Sequence, residues 1–249
     1  MRPDASKKIA KVTPKSGPNP VVIGAIVAAV VVLAVVVAIV MASHNGQPGA
    51  PTGTSGDPTP VGVVGGTGGG LLANTAPFKS TAPTMDLYED FQCPTCGELE
   101  KAMGAQIRTM AQAGQIKLVV HMLSFLDTNL NNDSSTRSAN AAACAADAGR
   151  FLPYHAAVYA GQPTQEGAGY TNAQLTQFAQ TAGITGTALT TWQKCTSSHQ
   201  HAQYVTDVQS AAEKAGVNGT PTVKLNGKDI TKTLTSPEAL AAAVKGATS

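Results

Sequence analysis

Charge is the scarcest property of this chain of 249 residues, with Lys, Arg, Asp and Glu making up 13% against roughly a quarter in an ordinary soluble domain. With 17 basic and 15 acidic residues the formal net charge is +2. That excludes a polycation that coats nucleic acid, and equally an acidic solubilising tail. Aromatics are few, at 4% with a single Trp. There are only four cysteines, and only one pair has the C-x-x-C spacing, so a four-cysteine zinc site lacks its second half. The glycine-rich stretch is not followed by Gly-Lys-Ser/Thr, which excludes a phosphate-binding loop. No motif for an organic cofactor or metal is present, and none is expected. What is there is 43% apolar residues, in a chain long enough to bury a real core.

The apolar residues are unevenly spread. Val21 to Met41 runs without a charge or a hydrogen-bonding side chain. As a helix it would be roughly 30 Å long, the thickness of a bilayer's hydrocarbon core. Arg2, Lys7, Lys8, Lys11 and Lys15 precede it, whereas no Lys or Arg occurs from Ala42 to Phe78. The positive-inside rule then predicts a cytoplasmic N-terminus and an extracytoplasmic remainder. Val40-Met41-Ala42 has the small-residue look of a signal-peptide cleavage site. The run is longer than the usual signal h-region of about 7–15 residues, which favours a retained signal-anchor. The expected order is a basic tail (1–20), a transmembrane helix (21–41), a Gly/Pro-rich disordered linker (42–74) and a folded domain (75–249).

Within the folded domain, Thr84 to Phe91 reads as a strand running into Cys93-Pro94-Thr95-Cys96. Pro94 suits the first position of a helix that continues through Glu98 to Ala113. Ile116 to Leu123 is a second strand, which completes a βαβ unit. Five segments of helical composition follow, between about residues 130 and 215. Strand character returns at Pro221–Leu225 and Lys228–Ile230 around Asn226-Gly227, a hairpin signal. Ser236-Pro237-Glu238 opens a last helix.

A sulfur at a helix N-terminus faces unpaired backbone N–H groups and the positive end of the helix dipole. Cys93 is therefore expected to be the exposed, acidic thiol and Cys96, one turn further in, the less accessible resolving one. A zinc half-site or a structural bridge would use the same spacing but lacks further support in the sequence. Cys195 and His199 have the spacing of metal ligands on a helix, without a third ligand. His121 and His155 show no recognisable partner and read as packing or surface residues.

The segment Asp90-Phe91-Gln92-Cys93-Pro94-Thr95-Cys96 resembles the redox motif of DsbA-like thiol–disulfide oxidoreductases of the thioredoxin superfamily. Gly219-Thr220-Pro221-Thr222 resembles that superfamily's cis-proline loop, and the central helices resemble its inserted helical domain. The resemblance covers about Thr84 to Val244. It implies an α/β, thioredoxin-like fold with a helical insertion, here preceded by the anchor and linker. It also implies a cis Thr220–Pro221 bond set against Cys93, with Thr220 and Pro221 forming the loop that pairs with a substrate strand. Cys144 and Cys195 lie on separate predicted helices, and some actinobacterial DsbA-like proteins resemble this arrangement, which implies a structural disulfide.

The expected activity is the introduction of disulfides into exported cysteine-containing proteins through Cys93 and Cys96. A vitamin-K-epoxide-reductase-like or DsbB-like membrane protein would reoxidise the pair. Reductase or isomerase action by the same pair, or a non-catalytic binding module, are the alternatives. The chain is expected to act as a monomer. One departure stands out: family members commonly carry a buried acid six residues before the first cysteine, where this chain has Leu87. Glu89 and Asp86 are the nearest substitutes.

Overall fold

The structure is a computed structural model and describes residues 58–248. The expected cytoplasmic tail, the 21–41 span and most of the linker lie outside the described residues. Among the described residues, no helix is long and apolar enough to cross a membrane.

A five-stranded sheet forms the centre. Its strands are β1 (Leu71–Leu72), β2 (Thr84–Glu89), β3 (Lys117–Met122), β4 (Thr222–Leu225) and β5 (Lys228–Asp229), in the order β1-β3-β2-β4-β5. Strands β2 and β3 are parallel, with Thr84 opposite Lys117 and Glu89 opposite Met122. Their crossover is the helical run α1 (Pro94–Leu99), a π-helical turn (Glu100–Gly104) and α2 (Ala105–Gln112). Strand β4 returns antiparallel to β2, placing Thr222 opposite Tyr88. Asn226 and Gly227 turn the β4–β5 hairpin with φ of 49° and 80°, the left-handed pair that an Asn-Gly turn supplies at little steric cost.

The insertion contains α3 (Leu126–Leu130), α4 (Ser134–Asp147), α5 (Phe151–Ala160), α6 (Asn172–Thr181), α7 (Gly186–Ser197) and α8 (Ala202–Lys214); α9 (Pro237–Ala247) closes the fold. Alanine dominates α4, and residues 139 and 141–146 are all buried. Small side chains let α5, α7 and α8 approach this helix closely. Cys144 of α4 is disulfide-bonded to Cys195 of α7, and Trp192 Nε1 donates to Ala141 O at 3.0 Å. The N-cap of α9 is Ser236, whose hydroxyl accepts from the Ala239 N–H at 3.2 Å.

Two expectations need correcting. The linker does not run to residue 74, because residues 58–73 are part of the fold. His201, fully buried, holds the Pro58 carbonyl at 2.6 Å and the Asp147 carboxylate at 2.7 Å, and that carboxylate also accepts the Val61 N–H at 2.8 Å. Gly68 and Gly70 are needed for contact here rather than for flexibility. A β-carbon on Gly68 would strike the Asp207 carbonyl of α8, and one on Gly70 would strike Val119 and His121 of β3. The predicted single helix 94–113 is also interrupted, by the π turn. The π turn carries Glu100 inward, and its carboxylate folds back across Gly104 to Arg108 Nη1 at 2.8 Å. Such turns recur next to functional sites.

Candidate active site at the end of β2

Strand β2 sends Met85, Leu87 and Glu89 into the core, and its last residues lead directly to the cysteine pair. Asp86 lies on the opposite face, where it meets His121 Nε2 at 3.1 Å. Glu89 is fully buried and its Oε2 lies 2.8 Å from His155 Nε2 on α5. The sequence reading of His121 and His155 as residues without partners is thus overturned. Both partners come from distant parts of the chain, and no local pattern announces them.

Cys93 caps α1 and Cys96 lies one turn further in; both are free thiols. Cys96 has no exposure and Cys93 is only 6% exposed, so the expectation of an openly exposed Cys93 sulfur is corrected. Thr95 Oγ1 stands 3.0 Å from Cys93 Sγ and the Thr220 carbonyl 3.4 Å from it, and Thr95 Oγ1 also reaches that carbonyl at 3.3 Å. Pro94 and Thr95 themselves are exposed, so the sulfur lies where the core meets the surface. The Thr220–Pro221 peptide is cis. Beside it, a groove of about 720 Å³ runs along Gly219, Pro221, Ile230 and Thr233.

The two thiols are pushed in opposite directions. Cys93 is lowered to about 5, chiefly because the Cys96 thiol donates to it, with the Thr220 and Thr95 hydroxyls and the Cys96 N–H adding against the cost of burial. Cys96 is raised well above the ordinary thiol value, first by burial and then by its bond to Cys93, with the nearby Glu89 charge adding. The Thr220 hydroxyl is buried and has no partner in the neutral state, which leaves it free to donate to a thiolate.

The acids beneath are perturbed too. Burial pushes Glu89 up to about 7 despite the His155 hydrogen bond. For His155, burial works downward, but the Glu89 bond and the Glu100 and Glu89 charges outweigh it and the net shift is upward. Glu89 Oε1 is left without a hydrogen bond. Asp90 is also pushed up to about 7 by burial, although Ser135 Oγ donates to it at 2.6 Å and the Gln92 N–H at 2.9 Å. The sequence offers Glu89 only as one of two substitutes for the missing acid; the period-two alternation from Leu87 to Glu89 is the signal that puts it on the core face.

Two clusters bring potential metal ligands within 4.8 Å of one another: Glu89, Glu100 and His155, and Cys144, Cys195 and His201. In the first, Glu89 Oε2 and His155 Nε2 are engaged with each other and Arg108 pairs with Glu100, while Glu89 Oε1 and His155 Nδ1 have no hydrogen-bond partner. In the second, the two sulfurs are bonded together. His199 does not join Cys195 as a ligand either, for it lies past the end of α7 with φ of 52°.

The insertion grips the motif from the side. Tyr170 Oη donates to the Phe91 carbonyl at 2.8 Å, Tyr159 Oη to the Asp90 carbonyl at 3.2 Å, and Gln92 Nε2 to Asn132 Oδ1 at 2.9 Å.

Comparison with known proteins agrees with this geometry. The family model described as thioredoxin matches residues 79–246. The oxidised DsbA of Mycobacterium tuberculosis is similar at 28% identity and TM-score 0.57, covering 69% of this chain and 91% of that one. The reduced disulfide bond oxidoreductase DsbG of the same organism is similar at 28% identity and TM-score 0.57, covering 68% and 84%. Part of the chain is also 31% identical, over 119 residues, to the serine/threonine-protein kinase PknE of M. tuberculosis. That match spans 45% of this chain and only 21% of the kinase's length.

Proposed function

Since the chain belongs to the thioredoxin family, and is an oxidoreductase of the thiol–disulfide kind, we propose that it introduces disulfides into exported proteins through Cys93 and Cys96. The observation that carries this reading is the opposed displacement of the two thiols, Cys93 down to about 5 and Cys96 upward. A thiolate that is stable in the reduced enzyme makes the enzyme's disulfide a strong oxidant, because reduction is favoured by the charge stabilisation it releases.

In the oxidising direction a substrate thiolate attacks Cys93 Sγ of the Cys93–Cys96 disulfide. The S–S bond breaks and its electron pair leaves on Cys96 Sγ, which takes up a proton. Glu89, raised to about 7 by burial and close enough for its charge to act on that sulfur, would supply it. The substrate's second thiolate then attacks the mixed disulfide, and Cys93 departs as a thiolate. The substrate pair has lost two electrons and the enzyme pair has gained them. A backbone strand of the substrate would lie along Thr220 and Pro221, adding main-chain hydrogen bonds as in other strand-addition complexes. Thr95, the exposed cover over the sulfur, would swing aside as it docks.

Reoxidation requires an electron acceptor, for which a vitamin-K-epoxide-reductase-like or DsbB-like membrane protein is the chemical class. An anchor at 21–41 would hold both partners at raised local concentration, with the folded domain on the extracytoplasmic side.

Trapping tests the reading. Cys96→Ser expressed in full-length protein should accumulate mixed disulfides with exported clients, and Cys93→Ser should accumulate none. Absence of any trapped species with Cys96→Ser would sink it. The direction is read separately by equilibration with glutathione. A potential near that of thioredoxin, roughly −270 mV, would turn the enzyme into a reductase.

A further inference from the structure

Gln162, two residues past the end of α5, reaches back to the cysteine turn. Its Nε2 donates to two carbonyls at once, Phe91 O and Cys93 O, each at 2.9 Å. The orientation of this amide is unambiguous, because the flipped form would set an oxygen against both carbonyl oxygens. Its Oε1 lies over the flank of α1 where Gly97 has no side chain; a β-carbon there would run into it. Gly97 N in turn donates to Cys93 O at 3.2 Å. One amide thus joins the residues on either side of Gln92, and one glycine makes room for it.

We propose that Gln162 is a positioning residue for Cys93: its two hydrogen bonds lock the Phe91–Cys93 turn so that the Cys93 sulfur is delivered to the Cys96 and Thr220 donors, and Gly97 is glycine to admit it. The proposal deepens the functional reading above and rests on it. Cys93 is held at ψ of 116°, extended, immediately before helical residues. Without the amide the Phe91 and Cys93 carbonyls each lose one of their two donors, and the turn between them, held less tightly, lets the sulfur shift relative to its surroundings. The carbonyls would stay paired, Phe91 with Tyr170 and Cys93 with Gly97, so the fold survives the loss while the sulfur's surroundings change. Gln162 also lines a groove of about 730 Å³ together with Pro94 and Tyr159.

Two substitutions isolate the effect. Gln162→Met keeps the length of the side chain and removes both donors. Gly97→Ala leaves Gln162 intact but displaces its flexible end, and Ala is the better helix former. Both should make the Cys93 thiol about three- to tenfold less acidic, read as thiolate absorbance against pH, the size expected for losing a net hydrogen bond at the site. The double variant should add little to either single one, because both break the same contact. Gly97→Ala should show this with unchanged or higher thermal stability, which a merely structural role does not predict.

Unchanged acidity in both variants, with an acidic wild-type thiol, overturns the proposal. A wild-type Cys93 that titrates near a free thiol, at about 8.5, overturns the functional reading instead. In that event amide exchange across residues 93–97 decides the clamp: faster exchange in both variants upholds it, and wild-type rates overturn it.

Discussion

The chemistry of this protein turns on one sulfur whose charge is favoured in the folded, reduced state. The folded Cys93 value of about 5 lies below the free-thiol value of about 8.5. Folding therefore gains from the thiolate, in full above the free value, and the gain is lost as pH falls through the folded one. Allowing for solvent screening of a sulfur at the surface, it is on the order of 1–2 kcal/mol at pH 7. The oxidised form lacks this thiolate. The reduced protein should accordingly be the more stable form to urea at pH 7, and the difference should close as pH is lowered past 5. Parallel denaturation of both redox forms against pH measures this, and equal stability at pH 7 would contradict the assignment of Cys93. Burial acts the other way on Glu89 and Asp90. Both are raised to about 7, chiefly by burial, so their contribution is largest in acid and is lost as pH rises toward 7; the smallest cause at Glu89, the Cys93 charge, is confined to the reduced form.

At the scale of elements, the βαβ unit and the hairpin supply the frame, and the insertion supplies the grip. Strand β2 and helix α1 meet at the cysteines, but the carbonyls of Asp90, Phe91 and Cys93 are held by Tyr159, Tyr170 and Gln162, all from the inserted helices and their loops. The disulfide between Cys144 and Cys195 ties α4 to α7 across 51 residues of sequence. On the chain-entropy account a loop of that length is worth about 4 kcal/mol, an upper figure. Replacing both cysteines with Ala should lower the melting temperature by several degrees. Cys93 acidity should hardly move, since none of the residues that lower it touches that bridge. A matching fall in thiolate acidity would instead make the bridge part of the active site. The order of strands and helices was legible because punctuation is local: Pro94, Asn226-Gly227 and Ser236-Pro237 act within a few residues. The two-residue β1, five-residue α3 and π turn were not legible, because each is too short to show a period and exists only through contacts made elsewhere.

At the scale of the whole molecule the question is where the redox domain is held. The sequence from Val21 to Met41 has the length and apolarity of a membrane span, and under the positive-inside rule the basic residues before it would direct the domain outward. Full-length protein expressed in an actinobacterial host should therefore fractionate with membranes, resist carbonate extraction and be digested by protease added to intact spheroplasts. A version starting at residue 42 behind a cleavable export signal should be released in soluble form with its exchange activity intact. Protection from external protease would contradict the outward orientation. The folded part begins earlier than composition suggests. Pro58 is already held by His201, and Val61 by Asp147, so a free tether can extend no further than residue 57. The glycine-rich segment was misread because composition reports the cost of ordering a chain but not the partner that offsets it. Gly68 against α8 and Gly70 against β3 are glycines of close approach, and nothing within the segment distinguishes those from glycines of a flexible linker.

The amino-acid sequence alone determined what local chemistry can dictate: a strand that ends in a C-x-x-C pair, a proline that starts the helix there, a Thr-Pro before a hairpin, and an apolar run of membrane length. Only the tertiary structure decided which acid lies beneath the pair, that His155 meets Glu89, that Gln162 reaches the cysteine turn past Gly97, and that Thr95 and Thr220 shelter the reactive sulfur. The physical reason is distance along the chain. The His155, Gln162 and Thr220 contacts join residues dozens to more than a hundred positions apart. Even the short-range ones, Thr95 over Cys93 and Glu89 beneath Cys96, depend on how the chain turns, because hydrogen bonding and burial act through space, where the sequence carries no record of who the neighbours are.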